Sequence, residues 1–485
     1  MRISAGPFCD PWQLDAIDAL IRETPEQISL RFGRACCLED LGRIAEAIAA
    51  YGDILRREPS HFGALTNLGR LLFERERFAD AGPFLRAAAE RAPADHVALV
   101  NLADLHARLG EPEIAFDLYY SALATQPDSL HAHLGLAKLF EERGAWERAH
   151  AHRECAYARP RMWHYPYRGT GPAIDVVLLA SASGGDITCN LFFDDAVVRT
   201  CVLLADSHPP GMPLPPHHVL FNAIGDADRG GPSLAHAQTL AASTTAPIVN
   251  HPAAVARTGR VEIMQRLQGV DGLRVPRTER IARAAVQSDA LLERGFTFPL
   301  LLRTPAYHAG MHLARVPWAG ALAQVAESLP GRELLAIEFI DVRGAAGEIR
   351  KYRVVAVDGK LFPVHLAIAR EWKVHYFSAD AADRADHRAE EATFLEDLPG
   401  VLGERAMRVL RTVAATLDLD YCGIDFSLDR DGNVVVFEAN ATMSIAFSQD
   451  TDVWTYRRPA VNRIIQAARN MILARARLQE WAPQH

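Results

Sequence analysis

Two stretches near the C-terminus alternate apolar and polar residues in the way antiparallel hairpins do. In Tyr421–Asn440, YCGIDFSLDRDGNVVVFEAN, residues Cys422, Ile424, Phe426 and Leu428 fall on one face and Gly423, Asp425 and Ser427 on the other. Asp431-Gly432 between the arms predicts a two-residue turn, because both central positions need positive φ. Counting back from that turn sets Asp425 opposite Glu438 and Asn440 opposite Gly423, and opposed Cβ atoms lie about 4.5–5.5 Å apart. YRVVAVDGKLFPVHLAI is a second hairpin turning on Asp358-Gly359. Its register puts Arg353 on one face with Val364, Leu366, Ile368 and Arg370 unless Pro363 shifts it.

From Ile174 onward, strands alternate with helices. AIDVVLLAS, TCVLLAD, HHVLFNAIG and PIVN read as strands and SLAHAQTLAAS as a helix, which predicts an α/β unit with a mostly parallel sheet over 174–255. TGRVEIMQRLQGV then reads as a helix, VPRT as a short exit, FPLLLRT and LLAIEFIDV as buried strands, and 401–417 as a helix. The tail from Tyr456 to Glu480 has amphipathic helical period. The polar segment 378–393 is either a mobile loop or a solvated helix. RPRMWHYPYRGTGPA, over 159–173, reads as a linker or strap.

The first third is periodic. Pro59, Pro93 and Pro127 stand 34 residues apart, as do Ala47, Ala81, Ala115 and Ala149, with Gly42, Gly110 and Gly144 in the same period and Tyr51, Leu85 and Tyr119 at matching positions. A small residue where two helices touch and a proline closing each unit resemble the tetratricopeptide repeat. Four units follow, 28–61, 62–95, 96–129 and 130–163, with Glu76 in place of one glycine and Arg153 at the aromatic position of the last. Residues 12–23 read as a capping helix. The resemblance implies a solenoid whose concave face takes a peptide or protein segment, with Asn67 and Asn101 as contacts for an extended backbone. The equal alternative is that the array dimerises the protein or buttresses the next domain.

At 485 residues and 53.4 kDa the chain divides into two to four domains. A net charge of −8 leaves no electrostatic footprint for nucleic acid. No apolar run approaches the roughly 20 residues that span a bilayer, and the N-terminus is not built like a signal peptide, so a cytoplasmic protein is expected. Seven scattered cysteines show neither zinc spacing nor a disulfide framework. Only four of the 52 basic residues are lysines: Lys138, Lys351, Lys360 and Lys373.

Opposed carboxylates at Asp425 and Glu438 repel unless a cation lies between them, and with Asn440 they form an oxygen cluster suited to Mg²⁺. The alternative is that both project into water from an exposed face. In the order PIVNHPAAVARTGRVEIMQRL, FPLLLRTPAYHAG, LLAIEFIDV and IDF…VFEAN, residues 174–475 resemble the ATP-grasp superfamily, especially its carboxylate–amine ligases of the ribosomal-protein glutamate ligase and D-alanine–D-alanine ligase types. The implied architecture is multidomain: an all-α tetratricopeptide solenoid over 1–160, an α/β pre-ATP-grasp domain over 174–255 and an α+β ATP-grasp domain over 256–475.

By that resemblance Asp425, Glu438 and Asn440 hold one or two Mg²⁺, with Glu438 placed to bridge. Glu338, Phe339 and Ile340 form the adenine hinge, and Asp341 accepts from the ribose. Arg260 and Arg303 stand where the family places phosphate-binding lysines, and arginine offers a permanent charge and a bidentate fork for that role. Gly310 with His308 or His312 belongs to the phosphate loop. Arg353 and Arg370 match the arginines that enter and leave the glutamate-ligase hairpin, the position two before Asp425 being Gly423 where some ligases carry arginine. Lys351, Lys373 and His375 lie where substrate contacts are expected. The resemblance thus implies ATP and Mg²⁺ as cofactors and an amide formed through an acyl-phosphate between a small carboxylate and an amine. His308 also keeps open a kinase on this scaffold. Arginine at both lysine positions keeps open a degenerate nucleotide domain carried by a repeat scaffold. Cys422, on the apolar face, reads as core.

Overall fold

The structure, a computed structural model, describes residues 11–480 apart from 42, 76, 144, 160–161, 166, 183, 210, 306–309, 311, 345, 375–383, 444 and 446–451. The chain forms two compact units that divide at Arg161 and Met162, with residues 207–209 grouped with the first.

The first unit is helical throughout. After Pro11–Glu23 come four helix pairs: Ile28–Asp40 with Ile44–Arg57, Phe62–Glu74 with Phe78–Arg91, His96–Leu109 with Pro112–Thr125, and Leu130–Glu142 with Trp146–Tyr157. The leading helices start at Ile28, Phe62, His96 and Leu130, one 34-residue period apart. The periodic residues explain the pairing. Ala47, Ala81, Ala115 and Ala149 are fully buried, and Tyr51, Leu85 and Tyr119 fill the space that the small residues leave. A Cβ on Gly69 would sit 2.6 Å from Leu85 Cδ2, and one on Gly135 would sit 2.2 Å from Tyr119 Cζ. Gly110 ends its helix in the left-handed conformation (φ 79°), a geometry glycine adopts at no steric cost. Gly42, Glu76 and Gly144 lie outside the described residues.

Asn67 and Asn101 correct an expectation, because both are buried and not offered to a peptide. Asn67 Nδ2 donates to Tyr51 Oη at 3.0 Å, and Tyr51 donates to Glu39 Oε2 at 3.1 Å. Burial requires that these polar atoms be satisfied inside the stack. Cys37 is disulfide-bonded, although no disulfide framework is expected from the sequence, whereas Cys36, Cys155, Cys189, Cys201 and Cys422 are outside any disulfide.

The second unit holds three sheets. The first comprises β1 (Met162–His164), β2 (Ile174–Ala180), β3 (Val198–Leu204), β4 (Val219–Asn222) and β5 (Ile248–Val249) in the order β1-β3-β2-β4-β5. All its pairings are parallel except β1 with β3. β1 lies in the segment expected to be a linker, so part of that strap is a sheet edge. After the short β6 (Leu273–Arg274), a four-stranded antiparallel sheet is built from β7 (Thr278–Ala282), β8 (Leu300–Arg303), β9 (Leu313–Val316) and β10 (Glu333–Glu338), in the order β7-β10-β8-β9. The sequence pattern missed β6, β7 and β9, which are short and carry little alternation.

The third sheet takes β11 (Ile349–Val357), β12 (Lys360–Ala369), β13 (Tyr421–Leu428) and β14 (Val434–Asn440), ordered β12-β11-β13-β14-β6. One face packs on helices Arg260–Arg266, Ala385–Glu396 and Leu398–Leu417 through Ile263, Met264, Phe394, Leu410, Tyr352, Cys422, Ile424 and Phe426. Over 385–393 the segment expected to be a mobile loop or solvated helix is a packed helix instead, Ala385–Glu396 burying His387, Glu391, Phe394 and Leu395, while 378–383 lie outside the described residues. Helix Leu398–Leu417 is interrupted at Gly403 (φ 76°, ψ 162°).

Both hairpins carry a register shift. The β11–β12 tip has Asp358 and Gly359 at φ 48° and 73° with Val357 opposite Lys360, the expected two-residue turn. A bulge after Arg353 then moves its partner from Val364 to His365, consistent with proline removing a ladder donor at position 363. The β13–β14 tip is longer than expected. Asp429 N donates to Asn433 O, Gly432 N donates to Asp429 O, and Gly432 has φ 75°, a three-residue loop with glycine in the left-handed position. That shifts the outer pairs by one, Phe426 facing Val436. A bulge between Asp425 and Phe426 shifts them back, so Asp425 faces Glu438 and Gly423 faces Asn440.

Candidate functional site

The inner end of β13–β14 gathers charge from four separate parts of the chain. Asp425 is fully buried and receives Arg353 from β11 at two points, Nε–Oδ1 2.6 Å and Nη2–Oδ2 2.9 Å. Lys351 Nζ, also on β11, stands 2.7 Å from Asp425 Oδ2. Burial alone would raise the Asp425 carboxyl. Arg353 and Lys351 outweigh it and hold the group well below the usual carboxylate range. Glu438 Oε1 takes Arg260 Nη2 at 2.5 Å and Asn440 Nδ2 at 2.9 Å. Asn440 Oδ1 accepts from Thr442 N and Oγ1, both at 2.9 Å. Gly423 is required here, because a Cβ would lie 2.2 Å from Met443 Cβ.

Arg260 opens its helix, and its backbone N donates to Asp228 Oδ2 at 2.9 Å. Arg280 Nη2 reaches Asp228 Oδ1 at 3.0 Å. Arg303, the last residue of β8, is buried close by. Burial and the neighbouring Arg260 push its guanidinium down to about 10, while Glu438, Asp226 and Asp228 oppose the shift. Asp226, Asp228, Arg260, Glu438 and Asn440 line a crevice of about 10 Å³, the space of roughly one water.

This geometry corrects one step of the sequence argument. The opposed carboxylates need a cation, but protein side chains supply it: Arg353 and Lys351 on Asp425, Arg260 on Glu438. Among the described residues no group of three or more His, Cys, Asp or Glu side chains is arranged to hold a metal ion. Two carboxylates and an amide oxygen still match the hard-oxygen preference of Mg²⁺. They would offer free lone pairs once the three cations turn away and the Asn440 amide rotates.

The remaining expected residues divide. Glu338 ends β10, its N donates to Arg277 O at 2.8 Å, and its Oε2 accepts from Arg277 N at 3.1 Å. Phe339 lies under the Arg315 guanidinium (4.6 Å to the ring centroid) and edge-on to Trp372. Ile340 packs beside Val342, Ile349 and Val435. Asp341, expected to accept from a ribose, is instead paired with Arg343, which holds its carboxyl below the usual range. Gly310 (φ 72°) approaches Lys373, whose Cε would be 2.9 Å from a Cβ there. His308 and His375 lie outside the described residues, and the backbone O of His312 accepts from Thr304 N.

Arg353 and Arg370 do not share a face as expected. The bulge places Arg353 opposite His365, while Leu366 and Ile368 turn into the core with Tyr352. Arg370 follows the end of β12 and makes no ion pair or hydrogen bond among the described residues. Sequence reasoning missed Asp226, Asp228 and His365. The first two carry a signal in hindsight, GDADRGG directly after a parallel strand, where open sheets collect ligand-binding groups. His365 is buried, and burial with the Arg353 charge lowers its pKa well below the ordinary value.

Tetratricopeptide-repeat family models match residues 15–96 and 97–139, so the first unit carries such repeats. No curated protein matches the chain. Solved structures similar to it include a MamA from Desulfovibrio magneticus RS-1 spanning residue 41 to its end (21% identity, 30% of this chain, 81% of that chain, TM-score 0.28) and an RS-1 MamA double mutant (21% identity, 30%, 80%, 0.28). Another MamA crystal structure is 17% identical over 30% of this chain and 84% of that one, with a TM-score of 0.28.

Proposed function

We propose that the second unit is an ATP-grasp carboxylate–amine ligase and that the repeats, which suggest a protein-interaction scaffold, recruit its peptide or protein substrate. The observation that supports this most is the face-to-face placement of Asp425 and Glu438 on one hairpin, with Arg353 and Arg260 in contact with them. Asp425, Glu438 and the Asn440 amide oxygen would hold Mg²⁺, and MgATP would supply the phosphoryl group that activates a carboxylate. Arg260, Arg303 and Arg353 offer donors to phosphate oxygens when they leave their present partners, so charge lost at the carboxylates is regained at the ligand. Phe339, against Arg315, offers a flat apolar surface on which a base would stack.

A second reading, a repeat scaffold whose nucleotide domain does not turn over, draws on the same ion pairs: both carboxylates are already neutralised. Phosphate release from MgATP, with amino acids or peptides supplied, separates the two. The ligase reading expects release, a product lighter by one water than the combined acid and amine, and loss of both in Glu438→Ala. Phosphate release unchanged by that substitution, or none with any acceptor, would overturn it. Phosphate found on an acceptor hydroxyl would instead assign a kinase.

A further inference from the structure

Two imidazoles join the last helix pair of the repeats, Leu130–Glu142 with Trp146–Tyr157. His133 is buried, and its Nδ1 lies 2.9 Å from His152 Nδ1. One contact fixes the tautomers. His133 Nε2 lies 2.9 Å from Pro127 O, and a carbonyl only accepts, so that nitrogen carries the hydrogen. Nδ1 of neutral His133 is then a lone pair, and His152 Nδ1–H donates to it. The His152 ring is stacked on Phe140, with 5.5 Å between centroids and 10° between planes, and meets Tyr120 edge-on.

This bond survives one added proton, because either Nδ1 can remain the lone pair. Two added protons set N–H against N–H and place two positive charges side by side. The surrounding carboxylates are engaged elsewhere. Glu141 is held by Arg153, Asp128 by Arg159 and Glu113 by Arg143, while Glu154 stands 3.4 Å from His150. Asp104, on the helix His96–Leu109, accepts from Tyr119. Arg148 and Arg143 lie over Phe140 and Phe116 and add positive charge, and His131 and His150 are exposed. Among the described residues no carboxylate pairs with either imidazole of the joined pair.

Burial, and then His133, hold the His152 imidazole below its ordinary pKa. The folded pair therefore takes up protons less readily than the unfolded chain. Its contribution to stability is complete above about pH 6.5 and is lost as pH falls through that value. The helix that carries His152 has little apolar hold of its own. Among its described side chains only Ala149 and Ala156 are buried, and Arg153 stands where Tyr51, Leu85 and Tyr119 fill the earlier pairs. In a repeat array each unit is held by its contacts with the next, so losing this one matters.

We propose that His133 and His152 form an acid-operated latch: closed at neutral pH, it opens when both rings are protonated, releasing Trp146–Tyr157 from Leu130–Glu142 and uncovering Phe140. The latch belongs to the repeats and stands or falls independently of the ligase reading.

Hydrogen–deuterium exchange of the full chain tests it, read by mass spectrometry at about pH 7.5 and about pH 5, on either side of the histidine range. Rates are corrected for the intrinsic pH dependence of amide exchange. Protection over residues 147–157 should fall about tenfold or more at the lower pH, while Phe62–Glu74 and Phe78–Arg91 change less than about twofold. His152→Phe keeps a ring against Phe140, and His152→Gln keeps a donor to His133. Neither titrates, so both should retain their protection at the lower pH. His150→Gln, at an exposed histidine of the same helix, should respond as the parent does. Equal protection of 147–157 at the two pH values, a loss spread evenly over all the helices, or a response retained by a His152 variant would overturn the proposal.

Discussion

Arg353 and Asp425 face each other across β11 and β13 and meet in a two-point ion pair in which Asp425 is buried and Arg353 half-buried. Such a pair adds little net stability over a well-packed apolar pair, but breaking it strands a buried charge. Because Lys351 stays on Asp425 Oδ2, Arg353→Met should cost less than such a complete break, about 1.5–3 kcal/mol. The double variant Arg353→Met, Asp425→Leu should recover most of that loss. Guanidinium unfolding of the two variants beside the parent measures both effects; equal losses in single and double variants would contradict the pairing.

The same cations set the conditions for metal entry. Lys351 and Arg353 occupy both oxygens of Asp425, and Arg260 occupies Glu438. Free Mn²⁺, followed by electron paramagnetic resonance, should bind weakly without nucleotide and measurably with ADP. Lys351→Met should raise affinity without nucleotide about tenfold, a change of roughly 1.4 kcal/mol. Mn²⁺ that fails to bind under every condition would remove the metal site from consideration.

Asp186 gives a pH signature. Burial pushes its carboxyl up to about 7 from its usual 3.8, Asp206 adding to the shift, while the Ser181 N–H and Arg229 oppose it. The folded state thus holds this proton more tightly than the unfolded state does. Its contribution to stability is complete below about pH 4 and is lost as pH rises through 7. Asp186→Asn should flatten that part of the melting-temperature profile, sparing on the order of 2–4 kcal/mol at pH 8. A profile unchanged by the substitution would show that Asp186 is not the group responsible.

Repeat packing makes a sharper claim than repeat periodicity. Gly135→Ala places a methyl 2.2 Å from Tyr119 Cζ, at a site where Tyr119 also donates to Asp104. The cost should be about 1–3 kcal/mol, the usual range for overpacking, read as a lower midpoint of helical circular dichroism. Gly33→Ala, where a Cβ meets nothing within 4 Å, is the control and should be neutral or stabilising.

The sequence revealed the helical repeats because one period repeats at buried contacts: Ala47, Ala81, Ala115 and Ala149 are each fully buried at the same place in their helix pair. It revealed the opposition of Asp425 and Glu438 through an incomplete argument, since the longer tip and the bulge displace the strand in opposite senses. The single bulge after Arg353 has no such compensation, and the predicted face of that arginine was wrong by one residue. Charge partners were beyond reach for a different reason. Arg260 and Glu438 are separated by 178 residues, and no local pattern reports which distant arginine will reach a carboxylate. Buried asparagine misled because Asn67 is polar by composition yet satisfied by Tyr51 inside the stack.

The register shifts adjoin Arg353 on one hairpin and Asp425 on the other, each on the tip side of the pair. The outer ribbon of each hairpin is therefore offset by one residue from the inner one. A slip near the Asp429–Asn433 tip changes which valines of β14 point inward, yet it can be absorbed before it reaches the charged pair. Surface tips of this kind can be shortened, extended or grafted with foreign sequence while the chemistry at their roots keeps its alignment.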